Sequence, residues 1–194
     1  MPPGQWANVP GRSVYPQMPT VGAPLKSTVR SVPAAEVTRI SLADYPLPIM
    51  DEDLERREGI PDSAMRLGRQ IAAHDGLLIA TPEYNASIPP LLKNTVDWVS
   101  RVSSDGRQPL KPFSGKPVAL CSSSTGKFAG IRCLNHLRPV MMNVGAEVIS
   151  AQCSVGMAEE AFHEDGTLRD ERTAKMLANV CHSLIEYASV FRQR

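Results

Sequence analysis

The chain has 194 residues, 42% of them hydrophobic, enough for one domain with a real core and short of two. Its 21 basic and 20 acidic side chains leave a formal charge of +1, so nothing advertises a nucleic acid or an anionic membrane as partner. No apolar run approaches the roughly 20 residues that span a bilayer, and no charged-then-apolar signal opens the chain, so a cytoplasmic protein is expected.

Residues 1–35 hold Pro2, Pro3, Pro10, Pro16, Pro19, Pro24 and Pro33. Proline removes a backbone donor and fixes φ, so neither a central strand nor a helix is expected there. Three readings of this segment stand: a disordered leader, an irregular replacement that still covers the sheet, or a segment scrambled by a shift of coding frame. Residues 36–42 alternate, with Val37, Arg39 and Ser41 on one side and Thr38, Ile40 and Leu42 on the other. That pattern predicts a half-buried strand at a sheet edge. A proline-punctuated loop then runs to Asp53. Asp62, behind Pro61, predicts a capped helix to about Ala73, with Met65, Ile71 and Ala72 inward.

Residues 76–80 are continuously apolar from Leu77 on, as a strand covered on both faces must be. A turn rich in proline and amide follows, and a helix starts at Leu91. Leu92, Val96 and Val99 lie on its inner stripe, and Asp97 and Arg101, four apart, predict a surface ion pair. Trp98 and Met141–Met142 are expected to be exposed. Residues 117–121 are a second buried run, ending in Ser122-Ser123-Ser124-Thr125-Gly126; small residues let the backbone approach a ligand closely. The next helix carries Ile131, Leu134, Leu137 and Met141 at spacings of three and four and stops at Gly145. Residues 147–151 form a strand. Thr167 and Asp170 resemble a capping pair opening a last helix with Leu177, Val180, Leu184, Ala188 and Phe191 on one stripe.

Strands alternating with helices predict a parallel sheet with right-handed crossovers. Loops 82–87 and 123–130 each follow a buried strand. Adjacent parallel strands set such loops side by side at one sheet edge, where open α/β sheets bind flat cofactors. Tyr84 offers an aromatic face and Asn85 an amide that both donates and accepts. Cys133 and His136 are three apart, but no second pair completes a metal site, so no metal is assigned. Cys121, Cys133, Cys153 and Cys181 are expected as reduced thiols. His74, His136, His163 and His182 are assigned no catalytic role.

Thr81-Pro82-Glu83-Tyr84-Asn85, followed by Ile88-Pro89, Leu92-Lys93-Asn94 and Asp97-Trp98, resembles the signature of the NAD(P)H-dependent FMN reductase family. The likeness continues through residues 124–132 and His136-Leu137-Arg138, takes in residues 42–48 and 51–53 upstream, and covers about 36–194. It implies a flavodoxin-like α/β fold: a doubly wound parallel sheet of order 2-1-3-4-5, three layers deep. The chain then divides into an atypical proline-rich segment, 1–35, and an FMN-binding domain, 36–194. In the family an N-terminal Gly-Ser-x-Arg loop holds the FMN phosphate, and Gly11-Arg12-Ser13 is a poor echo of it.

The resemblance also implies that Pro82, Glu83, Tyr84 and Asn85 hold one side of the flavin ring, with Ser124, Gly126, Lys127 and Phe128 approaching from the other. Flavin carries the chemistry, so no protein residue is named catalytic. NADH or NADPH would deliver hydride at N5, in ping-pong alternation with a small-molecule acceptor: a quinone, an azo compound, a chromate-type oxyanion or free flavin. Arg101 and Arg132 are candidates for the nicotinamide phosphates or an oxyanion, set against a role in salt bridges. A homodimer or homotetramer is implied. The competing expectation is a shell of the same fold that binds no flavin and serves as a structural or interaction protein.

Overall fold

The structure, a computed structural model, describes residues 35–191 and the backbone of residues 5–7. One sheet joins β1 (Gln5–Ala7), β2 (Ile40–Ser41), β3 (Leu77–Pro82), β4 (Pro117–Ser123) and β5 (Glu147–Val155) in the order β2-β1-β3-β4-β5. Around it lie α1 (Glu52–Glu58), α2 (Asp62–Ala72), α3 (Pro90–Ser100), α4 (Ile131–Asn143) and α5 (Glu171–Phe191). The strand order is the expected one, and β3, β4 and β5 are parallel.

The first strand departs from expectation twice. It exists, in a segment predicted to supply no central strand, and it runs antiparallel to both β2 and β3. Positions 4–9 carry no proline, so backbone donors survive there for three residues of ladder. Ala7 pairs with Leu78, so the chain leaves β1 at the amino end of β3. The Gly11-Arg12-Ser13 echo and the three readings of the segment lie outside the described residues.

The buried strands predicted from continuous apolar runs are buried throughout: every residue of β3 and β4 is. Two clusters coat the sheet. Ile79 and Leu120 meet Leu67 and Ile71 of α2, Leu92, Val96 and Val99 of α3, and Leu134, Leu137 and Met141 of α4. On the other face Leu78, Ala80, Ala119 and Cys121 meet Leu177, Val180, Cys181 and Leu184 of α5. The register of β4 and β5 shifts between Val118 and Leu120. There Arg138 of α4 donates to the Ile149 carbonyl and the Gln152 side chain, both at 2.8 Å.

Several local expectations are corrected. Helix α2 buries Ala64, Leu67, Gly68 and Ile71, rather than Met65 and Ala72; spacings of three and four from Ala64 make one stripe, and Met65 stands off it. Pro61 is its cap position, and Asp62 makes no capping bond. Asp97 pairs with Lys93 at 2.8 Å, and Arg101 turns instead to Glu52 and Glu55 of α1, at 3.5 and 3.8 Å. Trp98 is fully buried because the loop before α1 closes over α3; Met141 is buried in the core with Leu134 and Leu137, and Met142 is exposed as expected. The Trp98 indole and the Asn94 amide both donate to the Pro48 carbonyl at 2.8 Å, and Asn94 Oδ1 accepts from the Met50 N–H at 2.7 Å. Asp170 caps α5 through Thr173, and Thr167 bonds Asp165 instead.

Candidate functional site

Pro82 stands beside Ser123 in the parallel ladder, so the loops after β3 and β4 leave the sheet from neighbouring strand ends. The first is a two-residue turn. The Tyr84 N–H donates to the Ser87 carbonyl at 3.1 Å, and the Ser87 N–H to the Tyr84 carbonyl at 2.9 Å. Asn85 and Ala86 between them have φ of +48° and +63°, the left-handed pair of a type I′ turn. Asn tolerates that region and alanine does not favour it. Tyr84 and Asn85 are both exposed on this turn.

The second loop is shaped by close backbone approach. Ser122 Oγ donates to the Ala129 carbonyl at 2.8 Å. Gly130 has φ of +80°, and a Cβ there would lie 2.8 Å from the Ser122 Cβ, so only glycine fits. The Gly126 N–H donates to Ser124 Oγ at 3.2 Å. Thr125, Gly126, Lys127 and Phe128 are exposed.

Side chains tie the two loops together. The Glu83 carboxylate is buried against the first turn of α4, accepting from the N–H groups of Arg132 at 3.1 Å and Cys133 at 3.3 Å. A helix N-terminus favours an anion in that position. Arg132 also reaches Glu83 through Nε at 2.8 Å and through Nη2. These bonds, the Arg132 side chain foremost, outweigh burial and hold the Glu83 carboxyl below the usual carboxylate range. The same guanidinium lies 5.0 Å over the Phe128 ring. One helical turn on, His136 Nδ1 and Ser87 Oγ are 3.0 Å apart.

Ser123 Oγ is fully buried at the end of β4 and has no hydrogen-bond partner among the described residues. Such a hydroxyl costs roughly 1–3 kcal/mol, and it calls for a partner from outside. Cys133 is buried, its thiol pushed up to about 11 by desolvation, with Sγ 3.8 Å from Thr81 Oγ1. His136 is exposed, so the two do not converge on a metal position; among the described residues no group of three or more His, Cys, Asp or Glu does.

Of the residues singled out by sequence, Pro82, Glu83, Tyr84, Asn85, Ser124, Gly126, Lys127, Phe128 and Arg132 stand at this one edge. Arg101 does not. It follows the last turn of α3, an 11-residue helix leading away from the turn, roughly 16 Å along its axis, and it is bound to α1. Ser87, Ser123 and His136 are additions from the structure. Ser87 and Ser123 fall within the loops 82–87 and 123–130 read from sequence, and His136 within the stretch that carries the resemblance, but the sequence alone names none of them for the site.

Residues 22–160 match the family described as NADPH-dependent FMN reductase. A quinone reductase of Escherichia coli K12 is 40% identical over 128 residues, which cover 66% of this chain and 60% of that protein. An NAD(P)H-dependent FMN reductase of Pseudomonas aeruginosa is 35% identical over 147 residues, 75% of this chain and 76% of the relative. FerB, a flavoenzyme NAD(P)H:(acceptor) oxidoreductase from Paracoccus denitrificans, superposes with a TM-score of 0.68 at 27% identity over 87% of both chains. With its flavodoxin-like sheet order and this match, the chain belongs to the NADPH-dependent FMN reductase family.

Proposed function

We propose that the protein is an NAD(P)H-dependent FMN reductase whose acceptors are quinone-class compounds. One observation carries the reading: two ligand-ready corners sit side by side at the carboxyl ends of adjacent parallel strands, with the Ser123 hydroxyl buried and unpartnered among the described residues at the end of one of them. The donor set fits a flat heteroaromatic ring. Tyr84 supplies an exposed aromatic face, Asn85 supplies an exposed amide for the ring edge, and residues 125–128 opposite are exposed. Pro82, Tyr84 and Asn85 would hold one side, and Ser124, Gly126, Lys127 and Phe128 the other. Glu83 contributes its backbone there, since its carboxylate is committed to α4.

When bound, FMN supplies the two-electron chemistry, alternating between a nicotinamide and an acceptor. The chain's own part is to orient the ring, to place donors along its polar edge, and to leave one face open to both substrates in turn. Exposed Lys127 suits an anionic part of either substrate. Azo compounds, chromate-type oxyanions and free flavin belong to the same proposal as acceptors, and a homodimer or homotetramer as the assembly.

A second reading is favoured by the direction of β1. The chain leaves it at the amino end of β3, away from the two corners, and an FMN phosphate needs a nest of N–H groups near the ring. A flavodoxin-like shell without flavin would follow. Titrating FMN into the purified protein and following flavin fluorescence separates the two, and NADPH oxidation with a benzoquinone then tests turnover. Saturable quenching with quinone-dependent NADPH oxidation is expected; a protein that takes up no FMN overturns the proposal.

A further inference from the structure

Helix α4 grips the Tyr84–Ser87 turn at both ends. Arg132 and His136 are four apart and so share a helix face. Arg132 holds Glu83 just before the turn, and His136 meets Ser87 at its close. The same Arg132 lies over Phe128, in the other loop. The helix itself begins directly after that loop, at Gly130. One guanidinium therefore touches both corners.

The chemistry suits a brace better than a substrate contact. The Glu83 side chain is only 4% exposed and accepts four bonds, two from the Arg132 side chain and two from helix N–H groups. Arg132 commits Nε and Nη2 to one Glu83 oxygen, while its side chain stays 49% exposed. One flat face of its guanidinium lies over Phe128. The turn it restrains carries two non-glycine residues in left-handed geometry, which persists only where the surroundings over-determine it.

Resting on the FMN reading above, we infer that Arg132 and Glu83 are positioning residues that act as a pair: they fix the spacing between the Tyr84 turn and the Phe128 loop, and through it the affinity and alignment of the ring.

The test uses the full chain with Arg132→Met, Glu83→Gln, the double variant and Arg132→Lys. FMN dissociation constants are read by fluorescence, and hydrogen exchange at the Tyr84 and Ser87 amides is read without FMN. Each single variant should weaken FMN about tenfold and lower kcat more than it raises the quinone KM. The double should be no worse than either single, since one pair is lost either way. Arg132→Lys should restore part of the loss, keeping the charge without the fork. Tyr84 and Ser87 exchange should quicken about tenfold with little change in Tm. FMN binding within twofold of the parent, single losses that multiply in the double, or a raised KM alone would each overturn the inference. If the parent binds no FMN, the FMN reading fails by itself, and the exchange rates then decide the brace: quickened turn amides keep it, unchanged ones remove it.

Discussion

The two ends of this sheet are built on opposite terms. At the amino end, buried polar groups find partners in the protein. Lys116, at the start of β4, donates to the carbonyls of Ala72 and His74. His74 meets Gln70 and Thr38. Where left-handed backbone is needed there, glycine supplies it, at Gly115 and Gly145. At the carboxyl end, Ser123 has no partner among the described residues and the Tyr84 and Phe128 rings are exposed. The described non-glycine residues with positive φ are all at that end: Asn85 and Ala86 after β3, Ala129 after β4, Met157 after β5. A folding domain gains nothing from such an edge, and strained, unsatisfied groups gather where a ligand is to be met. The difference singles out the carboxyl edge as the candidate site without reference to any relative.

The largest expected effect comes from filling a glycine at each end. Gly130→Ala meets the left-handed penalty and the Ser122 side chain together, and should cost about 3 kcal/mol. Gly115→Ala has the same sign of φ with nothing within 4 Å, and should cost about 1 kcal/mol. Urea unfolding of both variants reads the contrast. Equal losses would mean that the carboxyl-end loop has room, and that its close packing is not a constraint.

Next in size is a pH effect confined to the amino end. Burial lowers the Lys116 pKa to about 8, with Asp75 opposing. Between pH 8 and the ordinary value of 10.5, the unfolded chain holds a proton that the folded chain has shed. Stability therefore rises with pH across that window, by up to about 3 kcal/mol, whereas at neutral pH the folded state carries the cost of a buried charge. The rise should vanish in Lys116→Met, with the denaturation midpoint as readout. The same slope in the variant would show that the amino end is not the source.

Much of the sheet could be read in advance, because burial on both faces leaves a continuous apolar run that no other arrangement tolerates. The 76–80 and 117–121 runs are the cores of β3 and β4, and their loops meet as adjacency requires. What could not be read depends on contacts far apart in sequence. Glu83 and Arg132 are 49 positions apart and meet because a carboxylate suits the start of α4. Arg101 had a partner available at Asp97, yet Lys93 took it, and α1 offered two carboxylates instead. Trp98 looked like surface until the loop carrying Pro48 covered it. The direction of β1 is the deepest miss: three residues between prolines carry no periodicity that fixes a direction.

The smallest effect is the sharpest test of the carboxyl end. Ala86→Gly converts the turn to Asn-Gly, the pair that type I′ geometry favours. Relief of the left-handed penalty, about 1 kcal/mol, is partly offset by the greater freedom of glycine in the unfolded chain. The folded state should gain no more than about 0.5 kcal/mol. Alanine already occupies the φ that the turn demands, so the brace from α4 must supply the difference, and the gain should grow when Arg132 is absent. Unfolding of Ala86→Gly in the parent and in Arg132→Met measures both. A loss of stability in either background would mean that residue 86 is not left-handed in solution, and the contrast between the two ends of the sheet would lose its clearest instance.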